Sequence, residues 1–80
     1  MVELFNIQAD DNYISCDYSP EQSGLIGSVT VNVDTEEVER VDYSEYEYGK
    51  KMYVAHVRAK LMEIFISGKP IPEKAIAQWF

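Results

Sequence analysis

Ser28-Val29-Thr30-Val31-Asn32-Val33 decides the reading of this chain, because Val29, Val31 and Val33 alternate with Ser28, Thr30 and Asn32. Alternation at period two describes a strand with one dry and one wet face. Downstream, Asp34-Thr35-Glu36 supplies turn formers, and 37–43 returns as a second strand whose Val38, Val41 and Tyr43 break the period. A bulge or an edge position explains such a slip. Arg40 and the acids around it discourage edge-to-edge pairing with other chains.

Upstream, 5–9 and 13–18 have strand character and are split by Asp10-Asp11-Asn12, which predicts a hairpin. Within 13–18, Ile14, Cys16 and Tyr18 share one face. Segment 19–24, punctuated by Pro20 and Gly24, reads as a loop. After the strands, Ser44-Glu45-Tyr46-Glu47 matches a capping box, in which a serine hydroxyl and a glutamate three residues on satisfy backbone donors reciprocally. A helix over 50–67 should follow, stopped by Gly68 and Pro70. Pro72 suits the first turn of a short last helix stacking Ile76, Trp79 and Phe80. The expected fold is α+β: an antiparallel meander of three or four strands packed on one long α-helix, closed by a short C-terminal helix, as one domain over 1–80.

At about 100° per residue the main helix is apolar on two faces. Tyr53, Val54, Val57, Leu61, Ile64 and Phe65 form one, and Met52, Ala55, Ala59, Met62 and Ile66 form the other. A helix apolar on two faces needs two partners. The chain has 80 residues, 46% of them hydrophobic, enough for one small core, so it can hardly leave the second face in water. The C-terminal segment with Trp79 is the first expected cover, and a symmetric homodimer the second.

The formal charge is −7, but it is unevenly spread. Residues 1–49 hold twelve acids and one base, a balance of −11, whereas 50–80 hold six bases and two acids, a balance of +4. A chain this acidic is repelled by phosphate backbones and anionic membranes. Lys50, Lys51, Arg58 and Lys60 do not share one helix face, so no phosphate track forms and direct nucleic-acid binding is not expected. The opening Met1-Val2-Glu3-Leu4-Phe5 lacks a basic leader, and no apolar run approaches the ~18 residues of a membrane span, so a soluble cytoplasmic protein is expected.

Catalytic chemistry finds little support. His56, the sole histidine, has no serine nearer on its face than Ser67, three turns along, which is too far for a base and its nucleophile. Cys16, the sole cysteine, falls on the inner strand face, where a thiol acts as a small hydrophobe. Asp10, Asp11, Asp34, Glu36, Glu37 and Glu39 lack the spacing of a calcium loop. No catalytic, metal or cofactor-binding residue is assigned, and the chain is not expected to be an enzyme.

The most unusual stretch is Tyr43, Tyr46 and Tyr48 interleaved with Glu45 and Glu47. Tyrosines in an acidic setting make good contacts for a basic protein, offering apolar area and a hydroxyl at low entropic cost. With Met52, Met62 and Trp79 they form the candidate partner-contact set. The expected function is a non-catalytic interaction or accessory module using an acidic sheet face. The alternative is an acidic inhibitor or nucleic-acid mimic that occupies a basic site on a partner.

Overall fold

The computed structural model describes residues 1–47 and 53–78. Strands β1 (Val2–Ala9), β2 (Tyr13–Pro20), β3 (Gly27–Asn32) and β4 (Val38–Asp42) run as an antiparallel meander. A 3₁₀ turn (Glu45–Glu47) precedes helix α1 (Tyr53–Ile66), and β5 (Lys74–Ala77) ends the described chain. The sheet order is β4-β3-β2-β1-β5, so α1 crosses one face and delivers β5 to the far edge, antiparallel to β1. The fold is α+β, with five strands where three or four were expected and a helix of 14 residues instead of a long one.

Two of the three hairpin connections are closed by short polar side chains. Asp10 Oδ1 accepts from the N–H groups of Asn12 and Tyr13, both at 2.8 Å. Asn32 Oδ1 does the same for Asp34 at 2.9 Å and Thr35 at 3.1 Å. Both are turns in which a short polar side chain substitutes for backbone acceptors.

Two bulges explain why the strand periodicity falters. In β1, Phe5 pairs with Asp17 and Gln8 with Ser15, so Asn6 and Ile7 together oppose Cys16. Asn6 takes the left-handed conformation (φ 52°), and its amide donates to Asp17 Oδ2 at 2.9 Å. This shift lets Leu4 and Ile7, three apart, both reach the core. In β4, Glu39 is the extra residue between Val38 and Arg40, as the broken period of 37–43 implied.

Three sequence expectations are corrected. Strand β1 begins at Val2, because Val2 and Leu4 point inward around an outward Glu3. Segment 19–20 belongs to β2, where Pro20 is buried opposite Val2. Residues 74–77 form a strand and not a helix. The free edge of β1 offers unpaired N–H and C=O groups, and β5 satisfies them while turning Ala75 and Ala77 inward. Trp79 and Phe80 of that expected helix lie outside the described residues.

Helix α1 packs Tyr53, Val54, Val57, Leu61, Met62 and Ile64 onto Val2, Leu4, Ile14, Cys16, Tyr18, Val29 and Val31. The first apolar face therefore meets the sheet as expected, with Phe65 partly buried. The second face divides: Met62, about 100° from Leu61, is drawn into the core, whereas Ala55, Ala59 and Ile66 are exposed. Gly68 (φ 70°) ends the helix in the left-handed conformation a glycine tolerates. Arg58 holds α1 over the β3–β4 turn by donating to the Glu36 carbonyl at 3.1 Å.

Gly27 marks the tightest point of the fold. A Cβ there would lie 2.6 Å from both Ser44 N and Tyr18 Cε1, and 2.7 Å from the Asp42 carbonyl oxygen. Two of these three are backbone atoms and cannot swing aside. Gly27→Ala is expected to cost about 1–3 kcal/mol or more, as core overpacking does. Urea denaturation measures it; an unchanged midpoint would show that the β3–β4 junction yields freely.

Candidate functional site

The best-defined surface feature lies where the sheet turns toward the helix. Ser44 is buried there and uses both its backbone and its hydroxyl. Its N–H donates to Tyr18 Oη at 3.0 Å, its hydroxyl donates to the Leu25 carbonyl, and its Oγ accepts from Tyr46 N–H at 3.1 Å. One serine thus ties β2, the β2–β3 loop and the 3₁₀ turn together. The expected capping box is formed only in part: Ser44 Oγ caps the turn, but Ser44 N–H goes to Tyr18 and not to Glu47.

Glu47 turns inward instead and is 1% exposed. Its carboxylate faces the Tyr18 hydroxyl and the N–H groups of Tyr53 and Val54 at the described start of α1, yet neither oxygen closes a hydrogen bond of ordinary geometry. Burial pushes this carboxyl above the usual glutamate range, and those donors pull it only part of the way back. Burial likewise raises the Tyr18 phenol, which keeps it a neutral donor and acceptor.

Four large apolar side chains are exposed at or beside the backbone groups that these bonds join. Leu25, Ile26, Tyr43 and Tyr46 are each 40–52% exposed, and Tyr46 packs edge-on against Tyr53 with ring centres 5.7 Å apart. Asp42 and Glu45 flank them and are exposed. Acidic and aromatic residues thus alternate around buried Ser44 along 42–46.

The structure redistributes the expected contact residues. Tyr43, Glu45 and Tyr46 are exposed at the corner; Glu47 and Met62 are buried and cannot meet a partner; Tyr48, Met52 and Trp79 lie outside the described residues. Leu25 and Ile26 were missed because a loop has no periodicity to flag them. The open sheet face is not the acidic surface expected: its paired outward positions carry Glu3, Asp17 and Asp42 against Arg40 and Lys74, among Ser15, Ser28 and Thr30. The acids gather elsewhere. Asp10, Asp11, Asp34, Glu36 and Glu37 occupy the β1–β2 and β3–β4 turns, which a bond from Val33 N–H to the Asn12 carbonyl at 3.0 Å joins.

The remaining candidates stay apart. His56 is half-buried on α1 beside β5, and Cys16 is buried beneath the helix. Among the described residues no group of three His, Cys, Asp or Glu could hold a metal ion. No described helix is long and apolar enough to cross a membrane. The chain matches no protein-family model, no curated protein and no solved structure.

Two measurements probe these environments. Burial, with Asp17 adjoining, raises the Cys16 thiol to about 12, so a thiol reagent at pH 8 should label the native protein far more slowly than the urea-unfolded chain. Rapid native labelling would contradict that burial. Because the folded state holds the Glu47 proton more tightly than the unfolded chain, Glu47's contribution to stability is full below about 4.5 and is lost as pH rises through the folded value. Glu47→Gln should therefore raise the thermal midpoint relative to wild type by an amount that grows from pH 5 to pH 8. An equal gain at both would exclude the buried charge as its cause.

Proposed function

We propose that the protein is a non-catalytic interaction module whose contact surface is the corner formed by Leu25, Ile26, Tyr43 and Tyr46, and that it binds a basic protein segment carrying apolar or aromatic anchors. The observation that carries this reading is the set of half-exposed apolar residues gathered about Ser44, with Asp42 and Glu45 beside them. An apolar centre desolvated on binding supplies affinity, and a charged rim supplies steering and partner choice. The backbone at Leu25 and Tyr46 is tied to Ser44 and the Tyr46 ring packs on Tyr53, which lowers the ordering cost of association. The reading moves the contact surface from the sheet face to its corner.

Peptide display against the immobilised protein tests the proposal. Enriched sequences should combine Lys or Arg with apolar residues, and their affinity should fall at least tenfold in Ile26→Glu and Tyr43→Ala. Affinity should also fall as salt rises, since the rim acts through solvent. Selected peptides that bind both variants as well as wild type would place the contact surface elsewhere. An acidic mimic would instead bind through the turns that carry Asp10, Asp11, Asp34 and Glu36, and would lose affinity in Asp34→Asn and Glu36→Gln while ignoring Ile26→Glu.

A further inference from the structure

The two edges of the sheet are chemically unlike. Along β4, Glu39 and Asp42 are exposed with Glu37 beside them and Arg40 as their one cation, so a second copy approaching that edge meets a net negative charge. Edge strand β5 carries Lys74 and the small Ala75 and Ala77, and the described residues from 53 to 78 hold four bases against two acids. Repulsion between copies of this acidic chain is weakest there.

Hollows flank β5 on both faces of the sheet. On the open face, one of about 520 Å³ is lined by Glu3, Phe5, Lys74 and Ile76, the last 51% exposed. On the helix side, one of about 160 Å³ lies between β5 and α1 and is lined by His56, Ala59, Lys60 and Glu63 with Ala77 and Gln78. A strand added to an edge directs alternate side chains to the two faces, so two hollows astride one edge suit an incoming strand.

We propose that β5 pairs antiparallel with β5 of a second copy of this chain, about a two-fold axis at Ala75, joining two five-stranded sheets into one of ten. The register is argued from charge. It sets Lys74 opposite Ile76 of the second copy, whose neighbour one strand further in is Glu3. Two strand spacings, roughly 10 Å, separate those backbones, a gap that a lysine and a glutamate side chain close between them. On the helix side it sets Glu73 opposite Ala77 of the second copy, against the hollow where Lys60 stands. Lys60 bridges Glu63 at 3.4 Å and both line this hollow, so the incoming Glu73 joins a cation that one carboxylate already holds. His56 lines the same hollow. The two-fold repeats each complementary pair, so the surface matches itself as an isologous interface requires. The exposed Ala55 and Ala59 add no bulk where two helices approach over the joined sheet.

Sedimentation equilibrium of the whole chain from about 10 to 500 μM tests the proposal, with circular dichroism confirming that each variant is folded. Wild type should pass from 9.2 kDa toward twice that mass over this range. Lys74→Glu should weaken association at least tenfold, and the combined Glu3→Lys and Lys74→Glu variant should restore it. A carbodiimide cross-link between Lys74 and Glu3 should join differently isotope-labelled chains. A monomer throughout the range, or a dimer indifferent to Lys74→Glu, would overturn the proposal. Either result leaves the corner surface untouched, because that surface lies at a different part of the molecule.

Discussion

The hydrogen bond from Ser44 N–H to the buried Tyr18 hydroxyl is the contact on which the rest of the molecule turns. It joins residues 26 apart, and it forms only because Gly27 leaves room between the tyrosine ring and the backbone of β4. From that point Ser44 reaches the β2–β3 loop and the 3₁₀ turn, and Glu47 is drawn beneath the start of α1. A phenol that accepts one bond retains a proton to give, and the carboxylate beside it is the acceptor it faces. The direction in which the chain leaves the sheet is thus set by a small polar cluster inside an apolar core.

That cluster carries a charge penalty. A carboxyl whose burial outweighs the donors around it is less stable ionised than it would be in water. Apolar burial elsewhere in the core offsets the penalty: Val54, Val57 and Leu61 are all buried, each contributing about 1.5–3 kcal/mol. Polar groups in such a place specify a geometry more than they add stability.

Much of the fold was legible in the residues. Val29 and Val31 alternated, Asp10 and Asn32 announced turns, Gly68 stopped a helix, and the broken period at Val38 and Val41 was a bulge at an edge. What was hidden depends on contacts distant in sequence. Ala75 and Ala77 have weak strand preference and pair only because β1 presents a free edge. Ser44 and Glu47 carry the letters of a capping box, but Tyr18 claims the donor that the glutamate would have taken. Of the candidate site, Tyr43 and Tyr46 were visible as aromatic residues among acids, whereas Leu25 and Ile26 join them only through the serine hydroxyl. The densest acids of the front half proved to sit in two turns and along one edge, because register and not composition decides which side of a sheet a carboxylate occupies.

The bulge at Glu39 and the acids beside it give the sheet a direction across its width as well as along its strands. A sheet open at both margins can recruit strands without limit and grow into a fibre. In the proposed pairing the β5 margins are used up and only the β4 margins, with their net negative charge, stay open. Growth by strand addition then stops at its first step, and the acidic margin acts as a chain terminator written into the sequence.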